Sequence, residues 1–462
     1  MADLLNHRLP ATDPRMIGLR FLLTAVLAGV LSLALTALMR LELASPGLQH
    51  LCQGGIRLIA DAARPCTDSG FWPVLAASHG LLMAFFTLMP ALCSGLGLWL
   101  LPSLIGAKDL AFPRMALTGW WIYAASLLMA VVAMALSSAP LALAALAMTG
   151  LSAILGAINT ITTFLNHRAE GVTLDRAPLF AWSLTIAAGL VLLAVPTVAG
   201  AALMLALGKG SAADLLARQG GDAEAMRQIL WFFAHPQLYV IALPSIGIAS
   251  HIIAIRAGRP LVGRPAVLAA MALLAGLGVT LWMQELYTNG LGVSEEGFFG
   301  IATWAFIPPA LLAAMMWILT LAGGARPFDA PLLWACGFVA LILGAVLLAL
   351  AGTEGTIARF HYALGLGAVF GLFAGLHLWL PMITGRALPD VSGRLQALMM
   401  FAGVNLSFLP GLTEMWQNAG ATLSFLSFAL FVGSVGWSLR FGQRVTLPEV
   451  AGEPAPAQVR QA

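Results

Sequence analysis

Two histidines fall inside strongly apolar runs at comparable depth. His79 lies about six residues into one run and His361 about three residues into another. Ionisable groups within membrane-spanning segments are costly and usually mark function. Two imidazoles on different helices at one level can supply both axial nitrogens of a heme iron. The stretch Gly365-Leu366-Gly367-Ala368 after His361 would let a flat macrocycle approach the backbone. Two interhelical histidines satisfied by hydrogen bonds explain the same spacing, so the residues alone leave both readings open. A third histidine reaches the same level in Phe233-Ala234-His235-Pro236-Gln237-Leu238-Tyr239. Gln284, Glu285 and Arg359 lie there as well. Such a cluster reads as a buried polar site, or the remains of one.

The elements that must position these residues follow from hydropathy. The chain has 462 residues, 60% hydrophobic and only 9% charged, which excludes an ordinary water-soluble fold. The net charge of +3 is too small to suggest a nucleic-acid partner. A span needs roughly 20 apolar residues to cross about 30 Å of hydrocarbon. That ruler predicts helices over 17–40, 73–102, 116–137, 141–165, 178–207 and 228–255, then 265–284, 299–322, 332–352, 358–383, 395–413 and 421–440. The expected fold is an all-α integral membrane bundle of twelve transmembrane helices, residues 17–440. A polar N-terminal tail (1–16) precedes it, and a C-terminal tail (441–462), expected to be disordered, follows.

Basic residues set the orientation. Sixteen of the 23 fall on the side of the N-terminus, so both termini are expected in the cytoplasm. His79, His235 and His361 then sit within roughly 10 Å of the outer boundary at 1.5 Å per residue. Cys52 and Cys66 flank an outer loop, where a disulfide and two separate thiols are both compatible with the spacing. Cys93 and Cys336 lie in apolar runs as packing residues. His251 and His377 read as packing or interfacial groups, and Trp72 and Trp231 as interfacial aromatics.

Several stretches are similar to subunit I of the heme-copper terminal oxidases, the cytochrome c oxidase type. They include His79-Gly80-Leu81-Leu82-Met83 with Met89-Pro90, and Ile105-Gly106-Ala107-Lys108-Asp109 with Ala111-Phe112-Pro113-Arg114. Further matches are Thr173-Leu174-Asp175-Arg176, Trp231-Phe232-Phe233-Ala234-His235-Pro236, Ile248-Ala249-Ser250-His251 and Arg359-Phe360-His361-Tyr362. They run in order from about residue 17 to 440. The resemblance implies a twelve-helix fold, oxygen reduction coupled to proton translocation in aerobic respiration, and His79 and His361 as the ligands of a low-spin heme.

The second site departs from the family. The resemblance makes His235 the first copper ligand and Tyr239 the tyrosine that members cross-link to it. The remaining copper ligands fall on Gln284 and Glu285, and the high-spin heme ligand on Arg359. An amide and a carboxylate replace imidazole poorly at a copper that cycles between oxidation states. A guanidinium has no lone pair for iron. The family's proton-donating glutamate is Gln237, its channel lysine and threonine are Ala313 and Ala310, and its channel asparagines are Leu98 and Ala116. Asp109 keeps the channel-mouth aspartate. The outer magnesium pair falls on Ala351 and Gly352.

The resulting expectation is a respiratory membrane protein with one low-spin heme, no copper, and an electron-transfer or structural role beside other membrane subunits. A periplasmic cytochrome or a quinol would donate electrons, and the location would be a bacterial inner membrane. Glu285 and Arg359 are expected to form a buried ion pair where the metals stood, with Gln284 and Gln237 completing its hydrogen bonds. Two other functions compete: an active oxidase or nitric-oxide-type reductase with a non-copper metal at His235, Gln284 and Glu285, and a heme-free scaffold or transporter. A transporter would ordinarily show paired broken helices or midplane charges, and none is visible here.

Overall fold

Hydrogen bonding dictates the architecture, because a backbone in hydrocarbon must satisfy its own polar groups. The computed structural model describes residues 10–43, 72–136, 138–206, 223–291, 304–324, 328–350, 365–409 and 411–445. The first rod is α1 (Pro14–Leu43). The second begins as α2 (Trp72–Leu81), continues through two π-helical segments, Leu82–Leu88 and Pro90–Leu96, and ends as α3 (Gly97–Ile105). Then come α4 (Pro113–Ala135), α5 (Ala139–Asn166), α6 (Leu179–Ala206), α7 (Ala223–Ala257) and α8 (Arg264–Leu291). The rest are α9 (Ile307–Ala322), α10 (Ala330–Leu350), α11 (Leu366–Thr384), α12 (Asp390–Phe408) and α13 (Glu414–Phe441).

Counting α2 through α3 as one, the described residues form twelve rods, the number expected from hydropathy. Ten are long and apolar enough to cross a membrane. The shorter α9 begins at Ile307, later than the expected 299, with 299–303 outside the described residues. The eleventh rod begins at Asp390 rather than 395. Extended Pro389 opens it, and the acidic side chain in its first turn suits the helix dipole. It stops at Leu409, whose ψ of 131° is what a residue before proline adopts. Helix α13 starts at Glu414 rather than 421, because hydropathy overlooks the polar first turns around Gln417 and Asn418.

Helix α7 occupies the centre. Its membrane-length stretch is 94% buried, against 22% for α13. It packs on α6, α8, α9, α10, α11 and the π segments. Small residues let the helices approach closely. A Cβ at Gly247 of α7 would stand 2.8 Å from the Phe180 backbone of α6. One at Gly371 of α11 would stand 2.3 Å from Ser245 of α7. Away from the interior, Arg256 ties the end of α7 to Asp329, just before α10, at 2.7 Å.

The π segments have a local cause. Pro90 lacks an N–H and its ring cannot sit against the carbonyl four residues earlier, on Phe86. The ladder widens: Met89 N–H donates to Ala84 O, and Thr87 Oγ1–H donates to Leu82 O. The released Phe86 carbonyl accepts the Tyr123 hydroxyl of α4 at 2.5 Å, in a site where Tyr123 is 1% exposed. Pro244 acts alike in α7, where Val240 O receives the weak donor Cys93 Sγ at 3.9 Å. Tyr123→Phe leaves the Phe86 carbonyl buried without that partner. It should destabilise the detergent-solubilised protein by about 1–3 kcal/mol, read as a lower thermal midpoint. An unchanged midpoint would contradict this account of the π segment.

Candidate functional site

His79 sits near the end of α2, facing α1. Ser32 and Thr36, one turn apart on α1, both converge on its Nδ1, each hydroxyl at 2.9 Å. The Ser32 carbonyl lies 3.2 Å from the same nitrogen. A carbonyl can only accept, so a protonated Nδ1 donating to this triad leaves Nε2 with its lone pair. That is the tautomer a metal-binding histidine requires, with the second nitrogen fixed by outer partners. Ser32 Oγ–H also donates to the His79 carbonyl at 3.1 Å, locking the ring's own backbone. A Cβ on neighbouring Gly80 would meet nothing within 4 Å, and the same holds at Gly365. The backbone is thus uncovered at this turn of α2 and at the start of α11, where a flat macrocycle would find room to approach. Gly367 has another purpose: a Cβ there would lie 3.0 Å from Phe338, so it serves α10–α11 packing.

His361 and Arg359 lie outside the described residues, as do Cys52, Cys66, Ala351 and Gly352. Gln284 and Glu285 belong to the backbone of α8, with side chains outside the description. His235 and Tyr239 are both buried, one turn apart on α7, with Nε2 3.0 Å from the phenol oxygen. Tyr239 stacks on Phe306 at 5.5 Å, and Gly278 of α8 leaves room for its ring. The structure therefore brings His235 and Tyr239 together as a packed pair.

Gln237, 3% exposed, donates its amide to Ala84 O of the π segment at 3.3 Å. It borders a cavity of ≈ 10 Å³, room for about one water, otherwise walled by apolar groups such as Phe85, Met89 and Val195. Leu98 and Ala116 are 0% and 1% exposed and pack in one apolar cluster with Leu110 and Tyr123. Asp109 lies on the loop below them and accepts the Leu110 N–H at 2.7 Å. Asn159 and Thr163 of α5 pin the adjoining backbone at Phe112 and Ala111. Ala313 is buried on α9.

Two further histidines are structural. His251 packs against the Trp379 ring, and His377 bonds Gln396 Oε1 at 2.7 Å. Sequence reasoning missed Ser32, Thr36 and Arg40. The first two are hydroxyls four apart in the apolar run of α1, a spacing that puts both on one face. Arg40, another turn along, reaches Asn418 of α13 at 3.5 Å.

The family model described as "Cytochrome C and Quinol oxidase polypeptide I" matches residues 16–419, most of the chain. The chain belongs to that family. Cytochrome c oxidase subunit 1 of Cereibacter sphaeroides is 37% identical over 504 aligned positions, covering 94% of this chain and 89% of the relative. Membership in the cytochrome c and quinol oxidase polypeptide I family makes this a multi-pass membrane protein of respiratory electron transport. The family binds hemes and copper and works within multi-subunit respiratory membrane complexes. The His79 environment fits the heme part of that inheritance.

Proposed function

We propose that this subunit I-type chain holds one low-spin heme between His79 and His361 and serves its complex by electron transfer, or as a structural subunit, without a copper and high-spin heme centre. The observation that carries the reading is the convergence of Ser32 and Thr36 on His79 Nδ1. A histidine kept only for packing has no need of three oxygens on one nitrogen while its neighbouring glycine faces open space. When bound, the heme supplies one-electron chemistry. The chain's part is to present Nε2, to hold the ring through α1, and to keep bulk water from the buried core around α7.

The loss of oxygen chemistry is supported by the filled proton route. Leu98 and Ala116 close the space above Asp109 with apolar atoms, and Gln237 spends its amide on Ala84 O. A Glu285–Arg359 ion pair would compensate two charges that are each costly alone. Arg359→Ala should then leave Glu285 unpaired and lower stability by about 3–5 kcal/mol. Wild-type thermal stability in that variant would remove the ion pair from the account. The basic-residue count supports termini in the cytoplasm of a bacterial cell, with a periplasmic cytochrome or a quinol as donor on the other side.

The deciding experiment treats the dithionite-reduced protein with carbon monoxide and measures oxygen uptake with an artificial donor. The expected result is a heme spectrum that carbon monoxide does not shift, and no uptake. A carbon monoxide adduct with uptake would favour an active oxidase. No heme band at all would favour a scaffold.

The hydroxyls also tune the proposed ligand. Nδ1–H donation makes an imidazole a stronger electron donor and favours oxidised iron. Ser32→Ala with Thr36→Val should therefore raise the midpoint potential, on the order of tens of millivolts, in a redox titration. A potential that stays fixed or falls would sink this assignment.

A further inference from the structure

Two arginines face each other across the only β-bridge among the described residues, Arg386 with Arg444. The flanking backbone bonds are Ala387 N–H to Gln443 O at 2.9 Å and Val445 N–H to Gly385 O at 3.1 Å. That pattern makes Arg386 and Arg444 a non-hydrogen-bonded antiparallel pair, the kind with closest side chains, both on one face. Like charges directly opposite are destabilising. The arrangement is nonetheless built firmly. Gly385 turns the chain out of α11 with φ 67°, Ser438 Oγ–H donates to Ala387 O, and a Cβ on Gly442 would stand 2.6 Å from Ser438 O.

Among the described residues, neither helix-end carbonyls nor carboxylates account for all the charge. Arg386 Nη1 donates to Gly442 O at 2.8 Å, which uses part of one guanidinium. Arg440 adds a third cation, its Cζ 5.6 Å from the Phe441 ring. The acid nearest Arg386 among the described residues is committed elsewhere: Asp390 bonds Arg394 and the Ala330 N–H. Among the described residues no carboxylate pairs with Arg386, Arg440 or Arg444. Beside these cations the last turn of α13 exposes Trp437 (50%) and Phe441 (62%), whose rings lie 6.1 Å apart. Aromatic rings at a helix end next to guanidiniums match the interface of a bilayer, with phosphates at the level of the charges and acyl chains below.

We propose that Arg386, Arg440 and Arg444 form a binding site for a phosphate-bearing anion, supplied by the headgroup of an anionic phospholipid whose chains lie along Trp437 and Phe441. Guanidiniums bind phosphate oxygens in bidentate fashion, and the bound anion offsets the repulsion across the bridge.

The test uses the full-length protein in phosphatidylcholine bilayers, titrated with a photoactivatable phosphatidylglycerol. Cross-links are mapped by peptide mass spectrometry. Wild type should label within residues 384–387 and 437–445, ahead of a phosphatidylcholine probe, and excess inorganic phosphate should not compete. Arg386→Gln with Arg444→Gln should weaken labelling there about 30-fold, since each interfacial cation contributes roughly a factor of five to ten. If the double variant fails to fold, Arg444→Gln alone keeps the test, because that side chain is exposed; a drop of about fivefold is expected. Equal labelling by the choline lipid, undiminished labelling in a folded variant, or full competition by inorganic phosphate overturns the proposal. The last result would assign the site to a soluble anion.

Discussion

His79→Ala is expected to abolish the reduced-minus-oxidised heme absorbance of the purified protein while leaving a folded bundle. After truncation the two hydroxyls of α1 keep backbone acceptors, His79 O for Ser32 and Ser32 O for Thr36, so no buried donor is stranded. What it does remove is Nε2, the nitrogen left free because Ser32 and Thr36 hold Nδ1 at 2.9 Å. Loss of an outer partner alone typically costs 10–100-fold in metal affinity, and loss of the ligand itself costs more. Heme content per mole of protein should fall at least about tenfold, with the thermal midpoint of the apoprotein close to that of wild type stripped of heme. His361→Ala should give the same spectrum. An undiminished low-spin band in His79→Ala would mean that the iron is held elsewhere, and the site described above would have to be abandoned.

Gly371→Leu should give a large loss of stability. A Cβ at Gly371 already stands 2.3 Å from Ser245 Cβ, 2.4 Å from its Oγ and 2.8 Å from its Cα. The last contact is backbone and cannot rotate away. Ser245 also bonds Ile241 O at 3.2 Å and Ala368 O at 3.5 Å, so α7 and α11 are joined at this point. Forcing the helices apart disturbs the central rod that carries His235 and the rod that follows His361. The cost should be about 3 kcal/mol or more, at the upper end for overpacking in a core. Gly276→Leu is the control, because a Cβ there meets nothing within 4 Å. In detergent, Gly371→Leu should lose most of its monodisperse peak while Gly276→Leu keeps it. Equal behaviour of the two would show that the α7–α11 contact yields more readily than its geometry indicates.

Much of the fold was legible because lipid imposes a simple rule. A span must be long and apolar, so hydropathy placed twelve rods and missed mainly their ends. Two of these misses share one cause. At Asp390 and Glu414 the helices begin in polar residues that complete a first turn outside the hydrocarbon, where an apolar ruler has no signal. The π segments escaped for a different reason. Pro90 announces a disturbance, but only the Tyr123 hydroxyl, reaching from α4 to the first π segment, makes the widened ladder a stable answer. The candidate site divides the same way. His79, His235 and Tyr239 were named from the residues and the resemblance, whereas Ser32 and Thr36 were invisible. Hydroxyls inside apolar helices ordinarily bond their own preceding carbonyl, and nothing local says that these two face a histidine 43 and 47 positions away.

By itself the amino-acid sequence determined a twelve-rod membrane bundle and the chemical types at its centre, because both depend on side-chain polarity counted along one chain. It also carried the family's motifs, which the match over residues 16–419 bears out. Only the tertiary structure decided which ring nitrogen of His79 is occupied, that Gln237 caps a π-segment carbonyl, and that two like-charged arginines stand side by side. Each of these is a contact between residues distant in sequence, set by where helices cross. Distances of about 3 Å between groups on different helices are not encoded in any local pattern of residues.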